Sequence, residues 1–77
     1  IGVAINQGSG LAGIAHWING YFGLTGPRKI DKKDERVAAI KAWVDQQYKD
    51  GRVTAVGDDE LEEAIRAVAP DIFDLAL

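Results

Sequence analysis

Asp31-Lys32-Lys33-Asp34-Glu35-Arg36-Val37-Ala38-Ala39-Ile40-Lys41-Ala42-Trp43-Val44-Asp45-Gln46-Gln47-Tyr48-Lys49 decides the architecture. Val37, Ile40, Val44 and Tyr48 recur at i, i+3, i+7 and i+11, a repeat that places apolar side chains on one stripe of an α-helix. Asp31, with Asp34 three residues on, resembles a capping box built from aspartates and puts the helix start there. Asp45 and Lys49 are spaced for an i,i+4 ion pair on the solvent face, and Gly51 suits the position just beyond the helix end.

Toward the C terminus, Gly57-Asp58-Asp59 reads as a turn and cap, and Leu61, Ala64, Ile65 and Val68 form the apolar stripe of another helix. Glu62 and Arg66 are placed to pair across its outer face. Pro70 ends that helix or starts the next, where Ile72, Phe73, Leu75 and Leu77 make one more apolar turn. Toward the N terminus, Gly26-Pro27 cannot continue a helix, so residues 24–30 are a connection. Before it, Leu11, Ile14, Ile18 and Tyr21 or Phe22 keep helical spacing, with Ser9 as cap and an end between Gly20 and Gly23. Ile1-Gly2-Val3-Ala4-Ile5, followed by the turn composition of Asn6 to Gly10, is compatible with a short N-terminal strand.

The pattern predicts an all-α fold: a small bundle of three to four helices around one core. Residues 1–77 form a single helical domain, with a glycine-rich turn, helix and connection over 1–30 and a helical subdomain over 31–77. A chain of 77 residues has room for one core only, since a domain near this size buries about 60% of its unfolded surface. Its 47% hydrophobic and 27% charged residues are an ordinary globular balance, which argues against disorder. A formal charge of -3 repels phosphate backbones, so nucleic acid is not the expected partner. No cysteine is present, which removes disulfides and thiolate metal sites. No apolar run approaches the roughly 20 residues of a membrane span, and no basic leader opens the chain. A cytoplasmic protein with no membrane partner is expected. The start at Ile1 and the lack of any methionine read as a piece of something longer.

The single histidine, His16, sits on the first helix beside Trp17. With no second histidine and no cysteine, neither a zinc site nor a Cys-His dyad follows, and a lone histidine is ordinarily structural. Gln7-Gly8-Ser9-Gly10-Leu11-Ala12-Gly13 leads into a helix N-terminus, where free N–H groups attract anions. No Lys-Ser or Lys-Thr follows, so it is not a Walker loop, and the glycines equally suit close backbone packing. Lys49 to Glu63 imitates a calcium loop, but with Gly51 as the loop glycine the closing glutamate position falls on Gly57. Asp58, Asp59, Glu60, Glu62 and Glu63 are the acids a helix start favours. Arg28, Lys29, Lys32 and Lys33 form a solvated link, or meet an anionic cofactor or an acidic neighbour.

Asn6-Gln7-Gly8-Ser9-Gly10-Leu11-Ala12-Gly13-Ile14-Ala15-His16, followed by Gly23-Leu24-Thr25-Gly26-Pro27-Arg28-Lys29-Ile30, resembles a segment of the 2-isopropylmalate synthase, homocitrate synthase and Re-citrate synthase family. In that family a Ser-Gly-x-Gly-Gly-[Val/Ile]-Ala-Tyr turn and helix precedes Gly-Leu-x-[Leu]-Pro-Arg-Arg. The likeness points to the C-terminal linker or accessory region that follows the catalytic TIM barrel and crosses to the partner subunit. Gly-Ile-Ala-His-Trp-Ile-Asn is nearer the Re-citrate branch.

The resemblance implies a Claisen-type acyltransferase in which acetyl-CoA condenses with a 2-oxo acid under a divalent metal. Metal and most catalytic groups would belong to the barrel of the same or a sister chain, in a homodimer, so this segment carries no cofactor and no complete active site. His16 stands where the family has the tyrosine that reaches into the other subunit's active site. An imidazole donates or accepts a proton near neutral pH, whereas a phenol mainly donates. Two readings stay open: His16 as hydrogen-bond donor or acid/base at the substrate carbonyl, or as a buried structural histidine. Ser9, Gly10, Gly13 and Arg28 are expected near substrate or cofactor. The family's lysine between the glycines is Leu11 here, and its second arginine after proline is Lys29. Trp17, Tyr21 and Phe22, where the core leaves them uncovered, would dock on the barrel or sister chain. The alternative is a stand-alone helical protein-interaction module without catalysis.

Overall fold

The computed structural model describes Ile5 and residues 9–76. The described residues form four α-helices, α1 (Leu11–Phe22), α2 (Glu35–Lys49), α3 (Asp58–Val68) and α4 (Asp71–Leu75), with a 3-10 turn at Gly26–Arg28. The all-α bundle read from the sequence is the one observed. Residues 1–4 of the expected strand lie outside the described residues, as do Asn6-Gln7-Gly8 and Leu77. Ile5 is buried and makes an isolated antiparallel bridge to Val56, whose N–H donates to the Ile5 carbonyl at 2.8 Å. None of the helices is long and apolar enough to cross a membrane.

The stripes that the spacing predicts supply the core, though not every member of them is buried. Ile14, Ile18, Val37, Ile40, Val44, Leu61, Ile65 and Ile72 meet in one core, all at 1% exposure or less. α2 is the middle element, packed against α1 on one side and α3 on the other. Leu11, Tyr21 and Val68, expected on the inward stripes, stand 37%, 42% and 42% exposed. Trp17 takes an inward position instead, at 5% exposure, and its indole N–H donates to Asp58 Oδ1 at 3.0 Å. That bond ties the middle of α1 to the first turn of α3.

Helix ends correct the sequence reading in detail. Asp34, not Asp31, caps α2: its Oδ1 accepts the Arg36 N–H at 2.9 Å. Asp31 instead closes a turn, its carbonyl accepting the Asp34 N–H and its carboxylate the Lys33 N–H at 3.3 Å. The Arg36 guanidinium holds Asp34 at 2.8 Å and Asp71 at 3.0 Å, joining the start of α2 to α4 and lowering the Asp34 pKa. Asp34→Ala is therefore expected to destabilise the fold by about 0.5–2 kcal/mol, the range for losing a helix cap, measured by urea denaturation. The N-cap of α1 is Gly10, one residue beyond Ser9. α1 ends on Gly23 in the left-handed region (φ 66°), where a residue lacking Cβ is unstrained. Asp45 accepts from Lys41 at 2.9 Å, not Lys49, and Arg66 faces Glu63 at 4.0 Å while lying over the Phe73 ring.

The link from α2 to α3 is organised by one arginine. Arg52 binds both carboxylate oxygens of Glu60 and donates to the carbonyls of Thr54 and Ala55 at 2.9 and 2.8 Å. Tyr48 donates its hydroxyl to the Thr54 carbonyl at 2.6 Å. Glu60 also accepts the Gly57 N–H at 3.2 Å, so the acid that caps α3 is the acid that anchors the loop. Arg52 foremost, then that N–H, pushes the Glu60 carboxyl from 4.5 down to about 2. A depressed folded-state pKa stabilises above the unfolded value and loses that contribution as pH falls through the folded one. The melting advantage of the native chain over Glu60→Gln is thus expected to be full above pH 4.5 and to vanish toward pH 2. Because Glu60 is exposed, added salt is expected to shrink it.

Candidate functional site

α1 has two chemically different faces. Ile14, Ala15, Trp17, Ile18 and Asn19 are buried, while Ala12, His16 and Gly20 face outward. His16 is exposed, so the buried structural histidine is the reading that the structure removes. Its side chain lines a cleft of about 390 Å³ between α1 and the segment leading to α2. Ala12, Ala15 and Ile30 give an apolar wall, and Lys29, Asp31 and Lys32 form the opposite lip.

The floor of this cleft is held by a side chain the sequence reading passed over. Asn19 is buried at 9% exposure, and its amide clamps the backbone of Ile30 from both sides. Asn19 Nδ2 donates to the Ile30 carbonyl at 2.9 Å, and Asn19 Oδ1 accepts the Ile30 N–H at 2.8 Å. The preceding residue, Lys29, has its own N–H bonded to the Gly26 carbonyl at 3.1 Å. The Gly-Pro turn thereby ends in fixed backbone, bringing Lys29 and Lys32 opposite His16. The signal available in the sequence was a lone asparagine inside an apolar helical stretch, since a buried amide requires partners for its donor and acceptor.

The other expected site residues lie around the same region. Gly10 and Gly13 are at the start of α1, Ser9 is half-buried just ahead of it, and Arg28 ends the 3-10 turn, exposed, one residue before the cleft. A Cβ built on Gly10, Gly13 or Gly20 meets nothing within 4 Å. Among the described residues, none packs against the space above these glycines. Gly13 and Gly20 are helical, where glycine costs about 0.5–1 kcal/mol relative to alanine.

A second exposed feature lies toward the end of α1. Trp17 and Tyr21 stack at 4.6 Å, and Phe22 continues the aromatic row to Phe73 at 5.2 Å. Trp17 is consumed by the core and Phe22 packs against it, which leaves Tyr21 outward. Lost solvation, then Glu62, Asp59 and Asp58, raises the Tyr21 phenol above its usual value, so this aromatic edge carries an acidic fringe.

Comparison with known proteins bears on the whole chain. It is 44% identical over 72 residues to the Citrate (Re)-synthase of Clostridium kluyveri and 42% identical over 69 residues to that of Syntrophus aciditrophicus. It is 41% identical over 63 residues to the 2-phosphinomethylmalate synthase of Streptomyces hygroscopicus. These matches cover 94%, 90% and 82% of this chain, but only 16%, 11% and 13% of the relatives' lengths. No family model matches the chain, and no solved structure matches it.

Proposed function

Because this chain belongs to the 2-isopropylmalate synthase, homocitrate synthase and Re-citrate synthase family, we propose that it is an accessory region completing the active site of an acyl-condensing enzyme. The observation that supports this reading is the exposure of His16 in an open cleft, on a helix whose neighbouring side chains are committed to the core. In the condensation, acetyl-CoA loses a methyl proton and the resulting carbanion adds to the keto carbon of a 2-oxo acid. Negative charge then collects on the former keto oxygen, where a hydrogen-bond donor or acid lowers the barrier. His16 is assigned that role, with Ser9, Gly10, Gly13 and Arg28 near substrate or cofactor.

Among the described residues, no group of three or more His, Cys, Asp or Glu is placed to hold a metal ion. The divalent metal that the family likeness implies is assigned here to the TIM barrel of the same or a sister chain in a homodimer. Exposed Leu11 and Tyr21, on the same helix as His16, suit docking against that barrel. Among the described residues nothing fills the space above Gly10, Gly13 and Gly20, which suits close approach of a partner's backbone or of substrate to α1. The test is kcat and melting temperature of the parent synthase carrying His16→Gln. An unchanged kcat overturns the assignment.

A further inference from the structure

We propose that the outward face of Tyr21, with Asp58, Asp59 and Glu62 around it, docks an arginine-bearing segment of a partner polypeptide. The inference shares Tyr21 with the docking assigned above, supplies its chemistry, and rests on that reading in nothing else. Charge is the first argument. Residues 58–63 hold five of the chain's twelve acids and no base. A helix start favours Asp58, Asp59 and Glu60 in the first turn, but Glu62 lies beyond that turn. The next bases on either side are already engaged. Arg52 binds Glu60, and Arg66 lies over the Phe73 ring and faces Glu63 at 4.0 Å. Among the described residues, no ion pair engages Asp58, Asp59 or Glu62.

The aromatic row is the second argument. One face of the Tyr21 ring is covered by Trp17, 4.6 Å away and within 13° of parallel, yet the residue remains 42% exposed. Trp17 is itself fixed by its bond to Asp58, so ring and carboxylates share one surface that joins α1 to α3. Lost solvation first, then Glu62, Asp59 and Asp58, raise the Tyr21 phenol, which places all three carboxylates within electrostatic reach of it. The row continues through Phe22, edge-on to Tyr21 at 5.2 Å, to Phe73, whose ring centroid lies 4.8 Å from the Arg66 guanidinium carbon. The fold thus already contains, at one end of the row, the contact that the Tyr21 end offers to a partner. A guanidinium fits this surface better than an ammonium, since it stacks flat on an aromatic face and forks onto carboxylates at its edge. Phe22 and Phe73, both half-buried, extend the surface for an apolar side chain beside the arginine.

The experiment is titration of the labelled chain, followed by NMR, with an amidated Leu-Arg-Leu-Arg-Leu peptide and with the same peptide carrying citrulline, which has arginine's shape without its charge. The arginine peptide is expected to give saturable shifts at the Trp17 indole, the Tyr21 ring and the amides of Asp59 and Glu62. The citrulline peptide is expected to bind at least about tenfold more weakly, and rising salt to weaken the arginine peptide. Tyr21→Ala is expected to weaken the arginine peptide at least about fivefold. The double variant Asp59→Asn/Glu62→Gln is expected to do the same with a native spectrum, because it keeps side-chain size and leaves the Trp17 to Asp58 bond in place. Equal binding of the citrulline peptide overturns the proposal, as do shifts that never saturate, that fall elsewhere, or that persist undiminished in the double variant. Light scattering of the chain alone over a concentration series tests the competing occupant. Association of copies that Tyr21→Ala abolishes assigns the surface to a second copy and overturns the proposal. His16→Gln without effect on kcat removes the catalytic assignment and leaves the arginine surface standing, and a silent peptide titration with a crippled His16 variant does the reverse.

Discussion

A parent synthase carrying His16→Gln is expected to lose a factor of about 10²–10⁴ in kcat, the usual contribution of a positioned acid or base, while melting at the native temperature. The two halves of that expectation come from different observations. The side chain is exposed and lies outside the apolar cluster, so its replacement removes no core packing. Glutamine keeps a polar group of similar reach but cannot exchange a proton near neutral pH. His16→Tyr adds a finer measurement, because tyrosine is the family's residue at this position and mainly donates. Recovery of kcat with tyrosine identifies hydrogen-bond donation, and a rate as low as that of the glutamine variant identifies proton transfer. A raised KM with unchanged kcat in either variant would show uniform binding of substrate and remove the chemical role.

Asn19→Leu is expected to destabilise the fold by about 2–4 kcal/mol, a large share of the 5–15 kcal/mol typical of a whole domain. Leucine fills a similar volume, so the loss is not one of packing. It strands the Ile30 N–H and carbonyl, which are bonded at 2.8 and 2.9 Å in the native chain, beside a buried side chain. Each unmade bond at such a position costs about 1–3 kcal/mol. Urea denaturation measures the effect, and a loss under about 0.5 kcal/mol, within the range of ordinary surface changes, would show that water substitutes for the amide. Asn19→Asp separates the two bonds. Its carboxylate still accepts the Ile30 N–H but opposes the Ile30 carbonyl, which raises its folded-state pKa. That variant is expected to be weakest at neutral pH and to recover as acid protonates the carboxyl and restores a donor.

The helices were legible because their signals are local. Val37, Ile40 and Val44 are spaced for one stripe, and all three are in the core. Gly23 and Gly51, read as helix ends, take positive φ of 66° and 103° there. Exact partners were not legible at that level. Asp34 and Asp31 are equivalent as sequence signals for a cap, and the choice fell to Asp34, whose carboxylate is held by the Arg36 guanidinium that also binds Asp71, while Asn19 fixes the Ile30 backbone just ahead of Asp31. Asp45 has lysines four residues away on both sides, so spacing alone does not choose between Lys41 and Lys49.

The candidate site shows the same division. That α1 forms, that His16 lies on it behind a glycine-rich start, and that a basic Gly-Pro connection follows can all be read from residue order. Periodicity and turn chemistry act over a few residues, and they carry that information without help. The outward face of His16, and the cleft that it lines together with Lys29 and Lys32, arise from packing between distant segments. Those facts depend on the bond between Asn19 and Ile30, eleven residues apart, and on the bond from Trp17 to Asp58, forty-one apart. Contacts closed over such separations leave no period in the chain, because what selects them is the need of a buried polar group for a partner once the core has formed.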